Sequence, residues 1–210
     1  TKVFEHLASN NGEFAEKALV LAIKILSQII SLGGKDQNEE VFPIKETFHQ
    51  FDVDFFTLEL GQKERLSHRD DVRDLAAVIK VLIQRLIQER CGKQQDAHTV
   101  YEKYIQPLPD SRSMWRLRLF VLSLCPEVFK NELKNAFFRL FGVERYHEII
   151  SGAEYKWALQ KGFTFLLDDD KREYIKQVVN YFKKKKKEKE NEKENWHMIY
   201  GSQILSMIEN

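Results

Sequence analysis

Proline and glycine are scarce in this chain, with four and nine residues in 210. Average usage is about 5% for proline and about 7% for glycine. Sheet proteins turn often and use both residues to do it. The shortage therefore argues against an all-β fold and for helices joined by short polar turns. Cysteine is nearly absent: Cys91 and Cys125 are the two in the chain. Two are too few for a disulfide scaffold. Cys125 closes the run Phe120-Val-Leu-Ser-Leu-Cys125 and reads as a buried free thiol, which would fit a reducing compartment. An excess of one charge is missing as well. Thirty-three basic residues against 32 acidic ones leave +1, so no global field exists to hold nucleic acid or an anionic membrane. Any such contact has to come from a local patch. Long apolar runs are also lacking. The stretch from Ala18 to Ile30 is interrupted by Lys24, Ser27 and Gln28, too short and too polar to cross a bilayer, and no signal peptide is visible. The sequence thus predicts a cytoplasmic location and no membrane partner. The chain starts at Thr1, and its last apolar pattern runs almost to Asn210. Both suggest a fragment of a longer protein.

What is abundant is helix-forming material. Charged residues make up 31% of the chain and apolar residues 43%. Phe14, Ala15, Ala18, Leu19, Ala22, Ile23, Leu26 and Ile30 recur at three and four residues, a strong helical stripe stopped by Gly33-Gly34. Residues 35–44 read as a polar loop. Residues 45–61 alternate in part, and one or two short helices are favoured there over an extended piece. Ser67 to Asp71 resembles a helix start, and Leu75, Val78, Ile79, Leu82, Leu86 and Ile87 follow as an amphipathic stripe ending near Gly92. A shorter segment around Tyr101, Tyr104 and Ile105 is stopped by Pro107 and Pro109. Asp110-Ser111 can cap the next helix, whose residues from Trp115 to Leu124 are apolar nearly all round. This is predicted to be the most buried helix. Pro126 ends it, and Phe129, Leu133, Ala136, Phe137, Leu140 and Phe141 give its partner, stopped at Gly142. A final pair places Tyr155, Ala158, Leu159, Phe163, Leu166 and Leu167 on one helix. Tyr174, Ile175, Val178, Val179 and Phe182 lie on the other, with Asp168 to Asp170 as turn and cap. Residues 183–195 are a charged linker or helix extension, and another helix begins near Tyr200.

The predicted fold is all-α: stacked helical hairpins over 1–210, with divergent repeats and no fixed signature residue. About nine or ten helices are expected on repeat-stacking logic. On Asn10-Asn11-Gly12-Glu13-Phe14-Ala15-Glu16-Lys17-Ala18-Leu19 and the pair at 154–182, the chain resembles a HEAT-like α-solenoid. More loosely, Arg112 to Phe120 and Glu154 to Phe163 resemble the helical arms beside ATPase modules in large bacterial proteins, often of defence or signalling type. The resemblance implies a scaffold or sensor arm working with a protein partner or with other domains of its parent chain.

No motif carries chemistry with specificity. Gly33-Gly34-Lys35-Asp36 lacks the spacing and the hydroxyl of a phosphate-binding loop. The six histidines show no metal-ligand spacing. His68 and Asp71 read as a helix-terminus pair. Asp52, Asp54 and Glu59 could do acid–base work, but they equally suit the wet side of an amphipathic segment. No catalytic, cofactor or metal residue is assigned, and the chain is read as a non-enzyme with no cofactor. Arg112, Arg116 and Arg118 are the interesting basic residues. Arg112 and Arg116 lie one turn apart, and Arg118 sits in a nearly all-apolar helix. Ion pairing between neighbouring helices is the favoured reading, and an anion or nucleic-acid contact is the rival. Lys183, Lys184, Lys185, Lys186 and Lys187 form the other basic patch. Interleaved glutamates from Glu188 onward favour a solvated segment over a nucleic-acid contact. The predicted function is a non-catalytic helical scaffold or sensor arm that binds a protein. The alternative is nucleic-acid binding through residues 112–118 and 183–193.

Overall fold

The computed structural model describes residues 13–32, 70–108, 110–143 and 147–188, and no strand occurs among them. In chain order the helices are α1 (Glu13–Leu32), α2 (Asp70–Arg90), α3 (Gln94–Val100), a π-helical turn (Tyr101–Ile105), α4 (Arg112–Leu124), α5 (Lys130–Leu140), α6 (His147–Ile150), α7 (Ala153–Gly162), a 3₁₀ turn (Phe163–Phe165) and α8 (Asp168–Glu188). The all-α expectation holds for these residues. Segment 35–66, with Asp52, Asp54 and Glu59, lies outside them, as do His68 and the pattern beginning near Tyr200.

α1 and α2 pack against each other. Ala15, Ala18, Leu19, Ala22 and Leu26 of α1 are buried, and so are Leu75, Ala76, Val78, Ile79, Leu82 and Ile83 of α2. Several of these are alanines, which hold little side-chain volume and lose no rotamer freedom.

α4 is the centre of the fold. It touches α2, the π-helical turn, α5, α6 and α7. Ser111 caps it, accepting a hydrogen bond from Met114 N at 3.3 Å and satisfying one orphan donor of the first turn. Met114, Trp115, Leu117, Leu119, Phe120, Val121 and Leu122 are all buried. A helix that is apolar round its whole circumference has to be covered on every side. Pro126, which has no N–H to donate, follows the end of the helix.

α5 closes at Gly142, whose φ of 78° is left-handed, a conformation natural to glycine at a helix end. Gly162 has a different role. A Cβ there would lie 2.7 Å from Leu133 Cδ1, so the approach of α7 to α5 depends on the missing side chain. α8 opens with Asp168, Asp169 and Asp170 in its first turn, where acidic charge suits the helix dipole. It is tied to α7 by the hydroxyls of Tyr155 and Tyr174, 2.6 Å apart and fully buried. Burial raises both phenols well above the ordinary tyrosine range.

One contiguous core runs from Ala15 of α1 to Val178 of α8. Leu119, Leu122, Phe137 and Phe163 all belong to it, as their stripes predict. Among the described residues, no helix is long and apolar enough to cross a membrane.

One expectation is overturned. Cys125 is buried, at 3% exposure, but it is not a free thiol. It is joined to Cys91 in a disulfide, with the Cα atoms 6.1 Å apart. The turn after α2 and the end of α4 meet here. A pattern read along one helix at a time cannot show that two helix ends converge 34 residues apart. The argument from a free thiol to a reducing compartment loses its basis.

Candidate functional site

The three arginines of the sequence reading separate once folded. Arg116 reaches across to α7. Its Nε donates to Glu154 Oε2 at 2.9 Å and its NH2 to Oε1 at 3.1 Å. Glu154 is 0% exposed and Arg116 11%. This fork-to-fork pairing is the strong geometry for guanidinium and carboxylate. Arg118 turns to the other side of α4. It is 7% exposed and donates to the carbonyls of Leu108 and Gln106. Arg112, in the first turn of α4, is half-buried and engaged within the protein. The lysines lie elsewhere, on α8 beyond Phe182. Lys183 and Lys184 are exposed. Lys185, Lys186 and Lys187 continue the helix, which runs to Glu188.

Arg118 lines a cleft of about 470 Å³, bounded by the π-helical turn, the loop before α4, and α4 and α5 themselves. Trp115 forms one wall. The Arg118 guanidinium stands 4.9 Å from its ring centre and that of Arg139 5.2 Å. Both lie within cation–π reach. The indole N–H donates to Asp110, and Arg139 NH2 lies 3.5 Å from the other oxygen of Asp110. At the opposite end Tyr101 is packed on Phe129, with ring centres 5.4 Å apart. Burial pushes its phenol up to about 12, with Arg118 opposing and Glu132 adding to the rise. Glu132 Oε1 is 3.3 Å from His98 Nδ1. Its Oε2 is buried with no hydrogen-bond partner. Native structures contain few such orphans, and each calls for an explanation.

Compared with known proteins, the chain matches no family model, no curated protein and no solved structure. The geometry therefore has to carry the reading. Among the described residues, no group of three or more His, Cys, Asp or Glu side chains is placed to hold a metal.

Of the cleft residues, the sequence singled out Arg118 alone as a site candidate. Trp115 and Tyr101 were visible as core residues, but Asp110, Glu132 and Arg139 carried no signal of a site. One signal was available. Glu132, Asn135, Ala136 and Arg139 fall at i, i+3, i+4 and i+7, one face of a helix, and set both signs of charge along the edge of the apolar stripe of α5.

The exposed apolar side chains form a second feature. On α1, Phe14 is 70% exposed, Leu21 53%, Val20 44% and Ile25 38%. Phe14, Leu21 and Ile25 are spaced seven and four apart, which places them on one face of the helix, along one edge of the stripe that packs on α2. At the far end of the chain order, Trp157, Phe165 and Leu167 are exposed around the junction of α7 and α8.

Proposed function

We propose that this chain is a non-catalytic helical scaffold or sensor arm that docks a protein partner or another domain of its parent chain. The outward face of α1 carries the reading. Phe14, Val20, Leu21 and Ile25 are exposed along α1, and several large apolar side chains in water on one helix support a contact surface there. Arg116 is engaged by Glu154, and Arg118 by backbone carbonyls. The first is an ion pair between helices and the second a carbonyl contact, and both weigh against an anion contact. No cofactor enters this function, and a cytoplasmic location would require the Cys91–Cys125 bond to persist in a reducing compartment, where disulfides are rare.

The nucleic-acid alternative rests on the exposure of Lys183 and Lys184, and one experiment separates the two. A photo-crosslinking residue is placed at Leu21, in cells that make the chain, and a control crosslinker at Arg172. A discrete protein adduct should form from position 21, be absent from position 172, and vanish with Phe14→Asp. No adduct from position 21 would sink the reading. Duplex DNA binding with a log–log salt slope of about −4.5, the value for five engaged lysines, lost when Lys183–Lys187 become Gln, would put the alternative in its place.

A further inference from the structure

The two ends of the disulfide sit in unlike surroundings. Cys91 stands in the turn after α2 and is partly exposed, and the residues that follow it, Gly92 to Asp96, are exposed as well. Cys125 ends α4 and is 3% exposed. We infer that the pair is a reversible thiol-exchange site, at which a small thiol of the glutathione class attacks the Cys91 sulfur and Cys125 is the resolving cysteine.

Three observations carry this assignment. The first is access. Exchange requires a thiolate to reach one of the two sulfurs, and exposed disulfides are the labile ones. A Cβ built on Gly92 would meet nothing within 4 Å, so the backbone beside Cys91 borders open space. Cys125, by contrast, belongs to the buried core. The second is anchorage. The Cys125 carbonyl accepts from Val128 N at 3.0 Å and from Phe129 N at 3.1 Å, and Phe129 is fully buried. The turn at Cys91 is closed by Lys93 N donating to the Arg90 carbonyl at 2.9 Å, a bond that closes the turn on itself without tying it to the core. Cys91 can therefore carry an adduct outward while Cys125 stays in place, the division of work between an attacked and a resolving cysteine.

The third observation is that the fold does not hang on the bond. α2 and α4 are in contact, and Leu82, Ile83 and Ile87 of α2 and Leu117 and Val121 of α4 are fully buried. Opening the bond leaves that packing in place and frees the turn at Cys91. Arg90, the residue before Cys91, lies 3.7 Å from Glu16 of α1, so the freed turn is at the corner where α1, α2 and α4 meet. The chemistry balances as ordinary exchange. A thiolate bonds to Cys91 Sγ, the bond to Cys125 Sγ breaks, and Cys125 leaves as a thiolate that takes up a proton. A second small thiol then displaces Cys91, so two small thiols are oxidised to their disulfide and the protein is left with two thiols. In the reverse direction the small disulfide caps Cys91, and Cys125 expels the cap and closes the bond. A cytoplasmic location then asks only that the bond form under oxidation, not that it persist.

The site does not depend on partner docking at α1. Its test takes the whole chain, without denaturant, through glutathione buffers from fully oxidised to fully reduced. Samples are acid-precipitated, redissolved in denaturant with a maleimide, and weighed by mass spectrometry. The chain should pass from no tag to two as the buffer becomes reducing, and return as it becomes oxidising, while circular dichroism stays helical. In the intermediate with one glutathione and one tag, peptide mapping should find glutathione on Cys91 and the tag on Cys125. Oxidised glutathione should cap Cys91 in Cys125→Ser at least tenfold faster than it caps Cys125 in Cys91→Ser. Reduction should also speed tryptic cleavage after Arg90 or Lys93 at least tenfold. A bond that opens only in denaturant is a structural one, and the assignment is then wrong. It is equally wrong if no bond forms in any buffer, if glutathione sits on Cys125 in the intermediate, if the two variants are capped at equal rates, or if cleavage at the turn ignores the redox state.

Discussion

The Arg116 guanidinium and the Glu154 carboxylate meet through two hydrogen bonds where water barely reaches, with Glu154 fully buried. Arg118, two residues on, points to a different neighbourhood and caps carbonyls under the Trp115 ring. Adjacent charges on one helix thus have unrelated roles, because successive side chains leave an α-helix about 100° apart. The consequence for Arg116 is asymmetric. Arg116→Met takes the bidentate partner from the buried Glu154 carboxylate and should cost about 3–5 kcal/mol. Replacing both partners by methionine removes the buried carboxylate along with the pair, and should cost far less than Arg116→Met alone. Urea denaturation of the two variants measures the difference. A loss below about 1 kcal/mol for Arg116→Met would mean a solvent-exposed pair in solution. The sequence reading favoured ion pairing for these arginines, but it could not name Glu154, which lies 38 residues away on another helix.

Helices whose apolar residues recur at three and four were legible element by element. The stripes at Phe14 to Ile30, Leu75 to Ile87, Trp115 to Leu124 and Phe129 to Phe141 gave α1, α2, α4 and α5, with the cap at Ser111 and the stop at Gly142 where local chemistry put them, but Phe14 faces water instead of the core. These are short-range signals, fixed by propensity, caps and amphipathic period. The meeting of elements is not short-range. Nothing in the run around Cys91 points to Cys125, yet the turn after α2 and the end of α4 bring them to a Cα separation of 6.1 Å. The cleft was illegible for the same reason, since its walls come from the π-helical turn, Leu108, Asp110, α4 and α5. The disulfide gives the element scale its own prediction. Closing a loop across 34 residues removes unfolded-state entropy worth about 3–4 kcal/mol at room temperature. A thiol reductant should therefore lower the stability of the chain by that order, and Cys91→Ser should do the same without reductant. Reductant should then have no further effect on the Cys91→Ser variant. Equal stability with and without reductant would show that the two thiols are not bonded in solution.

Across the whole molecule, the arrangement is less linear than a simple repeat array, in which each unit touches only its neighbours. α4 is in contact with α2, the π-helical turn, α5, α6 and α7 at once, and the buried side chains form one cluster from α1 to α8. A core that is contiguous and organised around one central helix has no obvious plane along which to separate. Its unfolding is expected to be a single cooperative transition rather than a sequence of unit-by-unit steps. Phe137 tests this, because it is 0% exposed and its ring packs on Tyr155 of α7 and Tyr174 of α8, with centres 5.7 and 5.9 Å away. Phe137→Ala should cost about 3–5 kcal/mol through lost burial and the cavity left behind. For a domain of this size that lowers the melting temperature by roughly 6–20 °C. The decisive reading is the coincidence of two probes. Far-ultraviolet circular dichroism reports all the helices, while the fluorescence of Trp115 reports the neighbourhood of α4 and α5 once Trp157 and Trp196 are replaced by phenylalanine. In one cooperative unit both melt together before the change and shift together after it. If the helical signal splits into two steps, with α1 and α2 surviving the loss of Phe137, the α1–α2 pair is an independent unit and the fold is modular after all.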